Sequence, residues 1–229
     1  MSFFNAIGEE YHEMTSFVPS PLPPKVSIQP RKLLTSGQPH RRVTHFPSLK
    51  NKEMVACESR WHARFCLHLE FEPKVVAYAS RPLALQFAEA EVTARPDFAA
   101  ILADGRQVYY HVSFSEEILD PRQQQRLSVV RECFGNNGLI FEHITPALYQ
   151  ATARTETLSF LYHHAYGASP AQAPFIKQLL QEKMQGRATI RNLAAHGVRV
   201  MDIAFAIFFQ YIHTDLQQSV DLNTLVEAR

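Results

Sequence analysis

The stretch FPSLKNKEMVACESRWHARFCLHLEFEPKVVAYASRPLAL, Phe46 to Leu85, decides how the chain is read. Trp61, Phe65 and Leu69 fall at i, i+4 and i+8, and Met54 sits two turns before Trp61. That spacing gathers apolar side chains on one helical face and predicts a helix over about residues 53 to 70. Phe71-Glu72-Pro73 ends it, because proline disfavours helical backbone in the residue before it. Runs with strand character follow at 75–79, 83–87, 97–102 and 107–114. Ala103-Asp104-Gly105-Arg106 joins the last two as a hairpin, with Asp-Gly as its turn signal. A helix over about 121 to 134, closed by Gly135, and a short strand at 139–143 complete the pattern. Helix, strands, helix, strand is satisfied by an α+β fold, a mixed sheet flanked by helices.

The flanks differ in character. Residues 1 to 42 read as a basic arm in which Pro19, Pro21, Pro23, Pro24 and Pro30 disfavour helix and sheet pairing. A short helix near Phe3 to Thr15 is the exception. From Thr145 onward the pattern is helical, over about 146–166, 170–185, 189–195 and 199–212. A short helix, a turn at His196-Gly197 and a longer helix is helix-turn-helix spacing. Thr214 to Val226 is expected to add a small wing or hairpin. The chain therefore divides into an arm (1–42), a mixed domain (43–145) and a small helical, winged-helix-like domain (146–229).

Hydrophobic residues make up 46% of the 229 and charged residues 20%, as in globular proteins. No apolar run approaches the roughly 20 residues that span a bilayer, so no membrane association is expected. Glu9, Glu10 and Glu13 and the lack of a basic leader argue against a secretory signal. Cys57, Cys66 and Cys133 are odd in number and form no CxxC pair, which favours a reducing, cytoplasmic setting. The net charge is only +1. Its distribution says more: between Glu13 and Glu53 there is no acid, but Lys25, Arg31, Lys32, Arg41, Arg42, Lys50 and Lys52. Arg31, Lys32, Arg41, Arg42, Lys50 and Lys52 are the candidate phosphate contacts, each releasing counterions on binding DNA. A solvated leader is the alternative for the same residues.

Several landmarks resemble the TnsA-type transposon-end endonucleases, in order along about residues 40 to 145. They are Glu58-Ser59, Leu69-Glu70-Phe71-Glu72-Pro73, Val75-Val76, Arg95-Pro96-Asp97-Phe98, Asp104-Gly105 and LSVVRECFGNNGLIFEHI, Leu127 to Ile144. Their collinearity carries the likeness; no single motif does. ATIRNLAAHGVRVMDIAFAIFFQYIHTDL resembles, more weakly, the winged-helix-like part that follows in that family. The resemblance implies a restriction-endonuclease-like domain of a mobile element. It also implies cleavage at the element's 5′ ends with Mg²⁺ or Mn²⁺, and partners that include transposon-end DNA, a transposase and an ATPase.

The same resemblance implies where catalysis would sit. The family places an acid on the first helix, an Asp in Pro-Asp, and a Glu/Gln-x-Lys pair on the next strand. Here those positions read His62, Asp97, His111 and Ser113, and the Gln of a Gln-Pro pair reads Arg81. Only Asp97 survives as a metal ligand. Mg²⁺ prefers oxygen ligands, and imidazole suits softer ions. The leading expectation is therefore a catalytically degenerate subunit that binds DNA or partners. Two alternatives stay open for the pocket. Glu58, four residues before His62, and Glu116 are candidate relocated acids of an active metal-dependent nuclease. His62, Asp97 and His111 are also reasonable ligands for a transition metal. A third alternative is a non-enzymatic protein-interaction module. Phe205, Phe208, Phe209 and Ile212 read first as a core stripe, and Arg187, Arg191 and Arg199 are too sparse for a groove-reading helix.

Overall fold

The computed structural model describes residues 17–29, 31, 43–114, 120–149 and 152–228. Lys32, Arg41, Arg42, Glu116 and the helix expected near Phe3 to Thr15 lie outside them. The chain divides into two compact units, Met1–Leu148 and Tyr149–Arg229. The fold class is mixed, with helices and several sheets.

The first unit opens on a strand that its prolines conceal. Val26–Gln29 (β1) pairs antiparallel with Ala84–Phe87 (β5), which pairs in turn with Val92–Ala94 (β6). The arm expected to stay unpaired is thus partly built into the fold. The prolines lie before and after the strand, so none removes a ladder N–H. Phe17 and Val18 also pack on the core. Their carbonyls accept hydrogen bonds from the Tyr109 hydroxyl at 3.2 Å and the Gln107 amide at 3.2 Å.

The second correction concerns residues 53–59. Thr44–Ser48 (β2) and Glu53–Cys57 (β3) form an antiparallel hairpin, and the helix begins only at Arg60. Val55 and Cys57 are buried with Ala56 between them less so, a two-residue period that a helix does not produce. Ser59 caps Arg60–Phe71 (α1) by accepting the His62 N–H at 3.2 Å. Glu58 therefore precedes the cap, and the helical face it was expected to share with His62 does not exist. The buried face of α1 carries His62, Phe65, Cys66 and Leu69. Trp61 is only half-buried and lies under Arg60 and Arg64, whose guanidinium carbons are 4.9 and 5.3 Å from its ring centre.

Behind α1 lies a four-stranded sheet of Val75–Ser80 (β4), Phe98–Leu102 (β7), Gln107–Val112 (β8) and Ile140–Ile144 (β9), in that spatial order. β4, β7 and β8 run antiparallel to their neighbours; β9 joins β8 in parallel. A parallel neighbour requires a crossover, and Pro121–Asn136 (α2) supplies it. Asp120 caps α2 in a reciprocal box with Gln123. Gly105, at φ +82°, makes the β7–β8 turn, where Asp104 accepts from the Arg106 N–H at 3.1 Å. Strand alternation then sends Phe98 and Tyr110 toward Phe65 of α1, whereas Ala99 and Tyr109 face Val130 and Phe134 of α2.

Pro146–Tyr149 (α3) ends the first unit and gives only Tyr149 to the second, whose helices are Ala153–His164 (α4), Gln172–Lys183 (α5), Ile190–Ala195 (α6) and Val200–Phe208 (α7). The single helix expected over 146–166 is two, and the last helix stops at Phe208, before Ile212. Arg187–Thr189 (β10) pairs with Leu225–Glu227 (β11); the terminal segment also closes on itself through an antiparallel His213–Glu227 bridge and a Thr214 hydroxyl that donates to the Leu225 carbonyl at 2.8 Å. α7 is buried from Asp202 through Phe208. A helix apolar on all sides is a core helix. Asp202, at its start, accepts from the Ser169 N–H at 2.8 Å and pairs with Arg199.

Candidate functional site

Three positions far apart in the chain meet at Asp97. His62 comes from the first turn of α1, Asp97 from the residue before β7, and His111 from β8. Asp97 Oδ2 accepts from the Val112 N–H at 2.8 Å and lies 2.8 Å from His111 Nδ1. Its other oxygen is 3.9 Å from His62 Nε2. Burial raises the energy of the Asp97 charge, but the hydrogen bonds from His111 and Val112 outweigh it and hold the carboxyl below its usual range. His62 is buried between Phe98 and Phe114, edge-on to each at 5.4 and 5.0 Å between ring centres. Its Nε2 makes no hydrogen bond. That burial lowers its pKa, against the pull of Asp97 and Glu58.

The fourth position, Ser113, reaches a residue the sequence did not single out. Its hydroxyl lies 2.6 Å from His143 Nε2. His143 is the register partner of His111 across the parallel β8–β9 pair, and the two rings stack at 5.8 Å. No local signal reveals that pairing, because it runs through the α2 crossover.

Cations gather on the near side. Arg81, at φ +49°, pairs with Glu58 at 2.9 Å, and its Nε is buried without a hydrogen bond. Arg31 donates to the Pro96 carbonyl at 2.7 Å. Burial and then the neighbouring Arg81 lower its pKa, so two guanidiniums share this corner. Of the other described candidate DNA contacts, Lys52 is exposed in the β2–β3 turn. Lys50 is turned inward instead. Its ammonium donates to the carbonyls of Leu69 at 2.8 Å and Glu72 at 2.5 Å, at the end of α1. The expectation that Lys50 faces phosphates therefore fails: the last carbonyls of α1 need a donor and take it.

These residues do not fit a hard divalent ion. Among the described residues Asp97 is the carboxylate that both histidines approach, and its Oδ2 already accepts two hydrogen bonds. Glu58 is turned to Arg81. The two histidines flank opposite oxygens of Asp97. Among the described residues no group of three or more His, Cys, Asp or Glu side chains is arranged to hold a metal ion. No helix among them is long and apolar enough to cross a membrane. No protein-family model matches the chain, and no curated protein matches it.

Proposed function

We propose that the first unit is a restriction-endonuclease-like domain of the TnsA type that has lost metal-dependent cleavage and now holds DNA. It acts as a DNA- and partner-binding subunit of a transposition system. One observation carries this reading. The positions that the resemblance assigns to catalysis (62, 97 and 111) are spread over 50 residues, yet they converge on one carboxylate. Collinear likeness that was accidental has no reason to assemble a site. The order helix, three antiparallel strands, crossover helix and parallel strand supports it further.

The substitutions explain the loss. His62 leaves an apolar-packed imidazole where an oxygen ligand is required, and Ser113 offers no positive charge to a developing phosphoryl anion. What remains is Arg31 and Arg81 beside a deep carboxylate, a set able to hold a phosphate at one edge. The second unit serves partner docking. α7 is too buried to enter a groove, whereas Phe160 on α4 and Phe175 on α5 are exposed. A winged-helix-like fold for this unit rests on the α6–turn–α7 spacing and the β10–β11 pair.

The test is to offer the full chain transposon-end duplexes with Mg²⁺ or Mn²⁺, with and without the partner transposase. The expected outcome is salt-sensitive binding without strand scission. Cutting that Asp97→Ala abolishes would sink the pseudonuclease reading and revive Glu58 and Glu116 as relocated acids. No binding to any duplex would sink the DNA reading altogether.

A further inference from the structure

On the α2 side of the sheet, behind His111, lies a cavity of about 320 Å³. Leu127 and Val130 of α2 and Phe141 of β9 give it apolar walls. Arg95, Arg126, His111, Gln123 and Thr93 supply its polar groups. His111 belongs to both places: its Nδ1 edge bonds Asp97 on one side, and its ring lines the cavity on the other. A second hollow shares Arg126 and Thr93 and adds Arg122, one helical turn before Arg126. Among the described residues no ion pair engages Arg95, Arg122 or Arg126, and Glu91 is the acid lining the outer hollow.

The chemistry of the walls selects the ligand. Two guanidiniums with no ion pair among the described residues favour a phosphate, with paired N–H donors matched to its oxygens. An apolar wall with an aromatic ring favours a flat heterocycle, which stacks or packs with little regard to sequence. The volume is at the lower end for small-ligand pockets. It suits one nucleotide and is too small for a duplex, whose stacked bases cannot reach the wall at Phe141. We propose that this cavity takes a single unstacked nucleotide of a DNA strand. Its phosphate lies on Arg95 and Arg126, its base lies against Phe141 and Leu127, and the next phosphate outward meets Arg122. The identification of the strand as DNA rests on the function proposed above; the nucleotide chemistry of the cavity does not.

The experiment uses the full chain and three probes: a blunt duplex, the same duplex with a short single-stranded overhang, and a free deoxynucleoside monophosphate. Fluorescence anisotropy reads the first two and calorimetry the third. The overhang is expected to bind at least about tenfold tighter than the blunt end, the gain from one stacked or packed base. Arg126→Ala, at an exposed helix position, is expected to remove most of that advantage while leaving blunt-end affinity within about threefold. Arg95→Ala repeats the test from outside the helix, and circular dichroism checks both variants for folding. Equal affinity for blunt and overhanging ends, with no binding of the mononucleotide, overturns the cavity proposal and leaves the duplex-binding reading standing. Binding of the mononucleotide that Arg126→Ala abolishes, with no affinity for either duplex, supports the cavity and instead removes DNA as its source. Binding of none of the three overturns it.

Discussion

His62 stands at the position to which the TnsA resemblance assigns an acid, and its imidazole is buried against aromatic rings. The imidazole is wedged edge-on between Phe98 and Phe114, with Nε2 unsatisfied. A buried nitrogen without a partner costs stability, so a residue of similar volume without that nitrogen is tolerated. His62→Leu is expected to change stability at pH 8 by less than about 1.5 kcal/mol. Acid separates the two proteins. The His62 pKa is depressed below 6.5, so the unfolded chain takes up the proton first. Its contribution is present above about pH 6.5 and is lost as pH falls through the lower folded value. Asp97 is depressed too, but from 3.8, so its own loss lies at more acidic pH. His143 titrates in both proteins and cancels in the difference. Urea unfolding at pH 8, 6 and 5 should therefore show the wild type losing stability faster than His62→Leu. Parallel pH curves would remove the buried, neutral imidazole from the account.

α1 is the element that brings His62 to Asp97, and its two ends are held by different means. Ser59 caps the start, and Lys50 reaches across from the β2–β3 turn to the last carbonyls. Near its C-terminus, buried Glu70 accepts from the hydroxyls of Ser48 at 2.5 Å and Tyr78 at 2.8 Å. Burial pulls the Lys50 pKa down to about 8, against the attraction of Glu70 and Glu72. Lys50→Met keeps the stem and removes the donor. It should cost about 1–2 kcal/mol in thermal or urea unfolding and leave duplex affinity within about twofold, since the ammonium never faces phosphate. A loss of affinity without a loss of stability would restore Lys50 to the DNA contacts. These ties also explain what was legible in the sequence. β7 and β8 are legible because they flank the local turn signal Asp104-Gly105, although neither strand alternates in burial. β3 is not, because Met54 falls by chance on the helical period of Trp61 and Phe65. β1 was missed because its partner, β5, lies more than 50 residues away. Asp97, His62, His111 and Ser113 were found through collinear likeness, but Arg126 and His143 were not. Their roles depend on the face of α2 and the register of β9, which only the crossover sets.

Over the whole molecule 23 basic residues nearly balance 22 acids. Long-range attraction to a polyanion is therefore expected to be weak, and the proposed DNA binding depends on where the cations are placed. Arg31, Arg81, Arg95, Arg122 and Arg126 lie on the first unit around the Asp97 site and its neighbouring cavity. Lys32, Arg41 and Arg42 sit in the acid-free stretch that connects β1 to β2. Each cation that replaces a counterion on duplex DNA contributes roughly 0.9 to the slope of log affinity against log salt. A chain that binds through a few placed arginines has a shallow slope; one that adds the connecting stretch has a steeper one. Replacing Lys32, Arg41 and Arg42 together with Ala is expected to reduce the slope by about 2–3, and Arg95→Ala alone by about 1. Anisotropy titrations between roughly 50 and 200 mM salt, on blunt and overhanging ends, measure both. The two changes should also differ in kind. The triple variant should weaken both ends alike, because backbone phosphates are present on each, whereas Arg95→Ala should weaken the overhang more. A triple variant with an unchanged slope would confine DNA binding to the arginines of the folded unit.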